Sequence, residues 1–259
     1  MELQAPPGWR SIDFISDLHL QASEAKTFQA WQHYLTHTTA DAVIMLGDVF
    51  EVWIGDDVLT DPESFEFACA QTLRVASQRM AIYLMHGNRD FLMGSGLTQA
   101  TGATLIGDPT VLNFSNQRWV LTHGDALCLD DTDYLAFRDT VRSDAWQSQF
   151  LAKPLQERQA LARQMRDASE ARKHAETVYA DVDATAADRC LIDAQAGTMI
   201  HGHTHRPNRH PLGPGRTRWV LSDWHLDGAT ARGDVLRIDT QQTEPYRLDP
   251  ITLQPKTLA

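Results

Sequence analysis

The chain has 259 residues, of which 42% are hydrophobic and 22% charged, and 23 Lys plus Arg against 34 Asp plus Glu give a formal net charge of −11. These values exclude a short peptide fold and fit neither disorder, collagen nor coiled coil, which leaves one large globular domain or one domain carrying an insertion. The acidic balance argues against a general nucleic-acid or anionic-membrane coat, so no nucleic-acid partner is expected, while a local basic patch stays compatible with it.

In chain order, apolar runs at residues 12–15, 42–46 and 81–85 each end abruptly in small or polar residues, as do runs at 119–122 and 198–200. They read as buried strands, each delivering polar residues at its C-terminal end. Segments of helical composition at 26–36 and 63–79 lie between the first three, so the β-α-β alternation predicts an α/β layered core. Residues 130–196 break that rhythm. They are mostly helix-forming, with Lys153-Pro154 as a break between two helices, and Trp146 with Phe150 and Leu161 with Met165 fall at i, i+4 on shared faces. We therefore expect a core at 1–130 and 191–259 with a helical cap inserted at 131–190. Within the cap, residues 153–173 carry six basic against three acidic side chains, a local excess of cations. Further strands are expected at 218–221 and 234–238, and the tail from Gln241 reads as peripheral.

Cys69, Cys128 and Cys190 form an odd set without CxxC spacing and read as reduced thiols rather than disulfide or zinc partners. The longest apolar runs are about five residues, far short of a membrane span. Residues 1–10 show no basic leader with an apolar segment behind it, and a cytoplasmic, reducing compartment is the expectation.

Five clusters of metal-ligand type follow the apolar runs: Asp17-Leu18-His19, Gly47-Asp48, Gly87-Asn88-Arg89-Asp90, His123-Gly124-Asp125 and Gly202-His203-Thr204-His205. One Asp-x-His alone is usually a surface pair. Five clusters at successive strand ends project into one crevice, where donors distant in sequence converge. The set supplies about seven oxygen and nitrogen donors and no sulfur, too many for one tetrahedral zinc and suited to two divalent ions of the manganese or iron type. Asp48, central among them, is the natural bridging carboxylate. Two neighbouring ions favour in-line phosphoester hydrolysis, the first functional expectation.

These clusters resemble those of the calcineurin-like metallophosphoesterases over about residues 11–206. The resemblance implies a four-layer α/β/β/α sandwich with an inserted helical cap and two Mn2+ ions, with other divalent ions as alternatives. It places Asp17, His19, Asp48 and His205 on the first ion and Asp48, Asn88, His123 and His203 on the second. A narrower resemblance, to the UDP-2,3-diacylglucosamine hydrolases of lipid A synthesis, rests on the strings at 14–20, 46–57, 86–94, 123–131 and 200–207, with Tyr134 and Phe137-Arg138 after the fourth. It implies metal-activated water attack on the α-phosphorus of an acylated UDP-sugar, giving UMP and 2,3-diacylglucosamine 1-phosphate. Asp17, His19, Asp48, Asn88, Arg89, His123, His203 and His205 form the catalytic set it implies. Substrate contacts fall to Asn88, Arg89, Asp131, Ser169, Arg172, Lys173 and His203. Trp53, Phe91, Phe137, Phe150, Leu151 and Leu155 are candidates for an acyl chamber.

The chain departs from that family after Ser169: Glu170-Ala171-Arg172-Lys173-His174-Ala175-Glu176 puts Ala175 or Glu176 near the usual later lysine, so the register is shifted. Ser222-Asp223-Trp224-His225 also differs from the usual string, and no role follows for Asp223. His33, His37, His174 and His210 read as surface or structural, while His86 and His201 point away from their ligand neighbours by strand alternation. Two rivals stay open, another dimetal phosphodiesterase or nucleotide-diphosphate hydrolase on the same core, and a scaffold that kept the fold without catalysis. An amphiphilic substrate further implies peripheral contact with the inner face of the bacterial inner membrane through the cap; no protein partner is identifiable.

Overall fold

The computed structural model describes residues 1–175, 181–228 and 230–256, with only the helix backbone described over 166–175. The elements in order are β1 (Glu2–Gln4), β2 (Ser11–Ile15), α1 (Ala25–His37), β3 (Ala42–Leu46), a 3-10 turn (Asp56–Thr60), α2 (Phe65–Ser77), β4 (Ala81–Met85), α3 (Ser95–Thr101), β5 (Thr104–Ile106), β6 (Thr110–Phe114) and β7 (Gln117–Thr122). A second 3-10 turn (Asp125–Leu127) precedes α4 (Thr132–Val141), α5 (Asp144–Leu151), α6 (Leu155–Ala175) and α7 (Ala184–Asp193). Then come β8 (Thr198–His201), β9 (Asn208–Pro211), β10 (Thr217–Val220), β11 (Val235–Asp239), β12 (Tyr246–Leu248) and β13 (Pro255–Lys256).

The strands form two sheets, one of seven in the order β13-β12-β11-β2-β3-β4-β5 and one of six in the order β1-β6-β7-β8-β10-β9. All five residues of β3 are buried because both its faces are covered. Val43 and Met45 point toward Trp31, Tyr34 and Leu35 of α1 and Cys69, Ala70 and Leu73 of α2. Ala42, Ile44 and Leu46 point the other way, onto Leu112, Trp119, Leu121 and Ile200 of the second sheet. The far face of that sheet, with Val120 and Met199, is covered by Ala187 and Leu191 of α7. The result is the expected helix-sheet-sheet-helix sandwich. Although composition groups residues 184–193 with the inserted segment, they pack as α7 in the outer core layer.

The predicted strands at 42–46 and 81–85 appear with those bounds, and the helix break at Lys153-Pro154 falls between α5 and α6. The tail is not peripheral throughout: β12 and β13 extend the larger sheet, and Arg247 of β12 is buried on Asp234 at 2.8 Å. Trp146 and Phe150 share a helix face as expected, stacked at 4.7 Å and 12°. They pack, with Leu155 and Leu161, on the core beneath the cap. The cation-rich run is partly consumed internally. Lys153 pairs with Glu157, and Arg158, only 2% exposed, forks onto Asp57 and donates to the Ile54 carbonyl, pinning α6 to the first 3-10 turn. Of the three thiols, Cys69 and Cys128 are buried and Cys190 is partly so.

One polar cluster sits inside the apolar layers. Asp13 of β2, with no exposure, accepts from Tyr34 Oη at 2.8 Å, Thr38 Oγ1 at 2.8 Å, and Arg237 Nε and Nη2 at 2.6 and 2.8 Å. Arg237 lies directly opposite it on β11. Removing one member of a buried ion pair strands the other. Asp13→Ala is therefore expected to lower unfolding free energy by about 3–5 kcal/mol, read by urea denaturation.

Candidate metal centre

Parallel strands place the site. β2, β3 and β4 run parallel in the larger sheet and β7 and β8 run parallel in the smaller one, so their C-terminal ends gather at one edge of the sandwich. From those ends come Asp17 and His19, then Asp48, then Asn88 and Arg89, then His123, and finally His203 and His205. Beyond β2 and β3 the pairing continues as a backbone ladder, with Asp17 N donating to Gly47 O at 3.1 Å and His19 N to Asp48 O at 3.0 Å. The two sheets are joined here as well, His123 Nδ1 lying 2.8 Å from Leu46 O, while within the smaller sheet Gly202 N donates to His123 O at 3.0 Å.

All seven expected donors converge. Asp17, His19 and His205 present atoms within 4.8 Å of one another, and so do Asp17, Asp48 and His123. Asn88 Oδ1 lies 3.0 Å from His123 Nε2 and 3.0 Å from His203 Nδ1. The Nε2 atoms of His19 and His205 face each other at 3.4 Å, and His205 Nε2 is 3.2 Å from Asp17 Oδ1. Burial is graded, from Asp17, Asp48 and His123 at the floor to His205, 38% exposed, at the mouth. Five of the seven donors, Asp17, His19, Asp48, His203 and His205, hold φ between 47° and 66°, left-handed backbone that non-glycine residues rarely adopt.

The donor chemistry fits divalent metal. Three oxygen-bearing and four imidazole side chains gather with no thiol, five of them in two overlapping groups. The carboxylate common to both tight groups is Asp17, whereas the sequence singles out Asp48 as the bridge; Asp48 Oδ1 stands 3.9 Å from His123 Nε2. Electrostatics agree with a cation-seeking pit. Burial works against the Asp17 carboxylate, but the hydrogen bond and charge of His205, with His123 and His19, hold it far below the usual range. Burial lowers His123, yet Asp48, Asp125 and Asp17 outweigh it and raise it to about 9. Burial, with His123 beside it, pushes His203 down to about 4.

Arg89 borders the pit, its Nη1 on Glu51 and its Nε 3.7 Å from Asp48 Oδ2, while its backbone N donates to Asp48 Oδ1 at 2.9 Å. Asp131 is the N-cap of α4, accepting from Tyr134 N at 3.0 Å, and is exposed. The side chains of Ser169, Arg172 and Lys173 lie outside the described residues. Among the acyl-chamber candidates, Trp53 and Phe150 are buried in the core with Phe91 and Leu155 against them, while Phe137 and Leu151 are exposed.

Several residues serve the site without having been assigned a role from sequence. Asp90 accepts from Gly87 N at 2.7 Å and Val49 N at 2.8 Å, tying two ligand loops together; burial and the charge of Asp48 push it up to about 6. Asp125 Oδ2 accepts from Tyr134 Oη and from Arg138 Nε at 2.8 Å, and the Tyr134 ring lies over His203 at 6.2 Å. Arg142 Nη2 donates to Gly87 O at 2.8 Å. Tyr134 and Arg138 of α4 and Arg142 at its C-cap are i, i+4 and i+8, so one face of the cap's first helix grips the ligand loops. The i, i+4 spacing was available in the sequence, but nothing there shows which loops it meets. Asp223 holds Arg232 at 2.8 Å and stands 3.9 Å behind His205 Nδ1. His201 is a core residue, as alternation implies, between Gly202 O at 2.9 Å and Arg218 Nη1 at 3.1 Å.

Gly87 is where backbone must pass closest to a donor, since a Cβ there would stand 2.1 Å from Asp48 Oδ1 and 2.3 Å from Asp48 N. Gly87→Ala is expected to displace Asp48 and weaken divalent-metal binding about 10-fold or more, on the scale of supporting-residue losses. Calorimetric titration of the chelated protein checks this.

A family model described as Calcineurin-like phosphoesterase matches residues 10–207. The UDP-2,3-diacylglucosamine hydrolase of Cellvibrio japonicus is 46% identical over 237 residues, covering 86% of this chain and 97% of its own length. That of Bordetella pertussis is 43% identical over 240 residues, covering 90% and 93%. That of Xanthomonas campestris pv. campestris is 41% identical over 241 residues, covering 87% and 94%. On the family-model match and on 41–46% identity over most of both chains, the chain belongs to the calcineurin-like phosphoesterases and, within them, to the family of the UDP-2,3-diacylglucosamine hydrolases.

Proposed function

We propose that this chain hydrolyses the diphosphate of UDP-2,3-diacylglucosamine at the α-phosphorus, releasing UMP and 2,3-diacylglucosamine 1-phosphate, with two manganese ions as its metals. The observation that carries the reading is the meeting, in one pit, of seven oxygen and nitrogen donors with a bordering guanidinium, under a helical segment whose first helix grips the donor loops. Asp17, His19, Asp48 and His205 would hold one ion and Asp48, Asn88, His123 and His203 the other. Two divalent ions bound there supply Lewis acidity toward phosphoryl oxygens and a nucleophile at neutral pH.

The chain's own residues do the rest. The planar guanidinium fork of Arg89 suits a phosphate, so it adds a directed cation where negative charge accumulates. It cannot serve as a proton donor. The leaving group makes that tolerable: a sugar 1-phosphate, with a second pKa of about 6, departs as an anion without being protonated at neutral pH. Tyr134, packed over His203 and bonded to Asp125, keeps the cap seated on the ligand loops, and Ser169, Arg172 and Lys173 on the longest cap helix are the further contacts we assign to the substrate, with Asp131.

An acylated nucleotide sugar resides in a bilayer, and Leu129, Phe137 and Leu151 stand 45%, 41% and 42% exposed on the inserted segment and its approach. We assign these exposed apolar side chains to peripheral contact with the cytoplasmic surface of the bacterial inner membrane. No helix among the described residues is long and apolar enough to cross a membrane.

Incubation with UDP-2,3-diacylglucosamine and manganese in detergent should release UMP, detected by mass spectrometry. Cleavage of UDP-glucosamine lacking acyl chains at an equal rate would defeat the substrate assignment. Asp48→Ala should abolish turnover and metal uptake together, whereas Arg89→Ala should keep both ions and lose about 100- to 1000-fold in kcat, the scale of one lost electrostatic donor.

A further inference from the structure

Glu51 lies between the two halves of the site. It is 7% exposed, its Oε2 is 3.3 Å from His19 Nδ1, and its Oε1 accepts from Arg89 Nη1. Its backbone fixes it there: Leu20 N donates to Val49 O at 3.0 Å and Glu51 N to Leu20 O at 3.1 Å, continuing the ladder that begins at Asp17, and Trp53 N donates to Arg89 O at 3.1 Å. The loop after β3 is thus stitched on one side to the His19 segment and on the other to Arg89.

The His19 ring is oriented with Nε2 toward His205 and Nδ1 toward the carboxylate. Its Nδ1 is buried and has no aligned hydrogen bond, so the acceptor 3.3 Å away is the group on which it can close. A histidine that gives one nitrogen to a cation needs its proton on the other, and a carboxylate behind that nitrogen fixes both tautomer and ring angle.

We infer that Glu51 is a positioning residue for both functions of the site: Oε2 sets His19 as the Nδ1–H tautomer with Nε2 free for an ion, and Oε1 holds the Arg89 guanidinium at the pit. The carboxylate suits this double role because it accepts at two oxygens, and its charge offsets the Arg89 cation when substrate is absent. The inference rests on the dimetal reading above.

The test uses the full chain, chelated and then titrated with Mn2+ by calorimetry, with folding followed by circular dichroism. Glu51→Gln keeps the shape but turns an amide NH2 toward one of the two donors; Glu51→Ala removes both acceptors. Both should weaken binding of one ion, about 10- to 100-fold for Glu51→Ala, while the second ion binds as in the wild type. The fold-loss in turnover caused by Glu51→Gln at saturating Mn2+ should be smaller in an Arg89→Ala background than in the wild type, while its effect on metal affinity is the same in both. Folded variants with unchanged metal affinity overturn the His19 part, and equal turnover losses in the two backgrounds overturn the Arg89 part. Wild-type protein that takes up no manganese overturns the metal-centre reading itself.

Discussion

The carboxylate of Asp17 has no exposure, yet it follows the last residues of β2 in one sheet and accepts the His203 backbone N–H at 2.9 Å from beyond β8 in the other. Its own carbonyl accepts Trp224 N at 2.9 Å, and Ser16 Oγ donates to its Oδ2. The same group belongs to both clusters of potential metal donors. One side chain thereby joins the sheets and contributes to the pit, so the geometry of the metal centre cannot drift independently of the packing between the sheets. A Cβ on Gly202 would stand 2.3 Å from Asp17 Oδ2, which is why glycine must precede His203 at this crossing.

The left-handed backbone at five donors follows from the same constraint. A strand delivers side chains to alternate faces, so two ligands from one short segment, such as Asp17 and His19 or His203 and His205, reach one centre only if the chain departs from extended geometry. Each such conformation costs on the order of 1–3 kcal/mol unless its surroundings impose it. Here the ladder from Asp17 N to Gly47 O and from His19 N to Asp48 O imposes it, together with the Asp90 carboxylate across the neighbouring loops.

Much of this was legible in the sequence because strand ends are marked by local composition. The run at 42–46 is buried on both faces, and such a strand reads as continuously apolar whatever its partners. The seven donors were legible for the same reason, each being framed by a glycine or a short polar motif at an apolar boundary. What local pattern could not carry was partnership. Glu51 and Asp223 each look like an ordinary surface acid until the fold places them at His19 and His205. Arg158 reads as one more cation of a basic run, and only the fold shows it buried against the loop at Gly55, where a Cβ would stand 2.4 Å from its Nη1. Short strands such as β12 and the edge strand β13, two or three residues long, have no periodicity to detect and depend on the strands they join.

The inserted helices are not an independent lid resting on a finished site. Arg138, with the Tyr134 hydroxyl, pairs with a fully buried Asp125 two residues from His123, and Arg142 satisfies the carbonyl of the glycine that abuts Asp48. The acidic pit in turn explains why α4 presents cations on that face in a chain of net charge −11. Arg138 and Arg142 give the donor loops a fixed counter-charge, and those loops give α4 its docking surface. The segment that distinguishes this chain from a bare two-sheet core is therefore held by the residues that surround the candidate metal donors, which ties the inserted helices to the donor pit through contacts of a single helix and its C-cap.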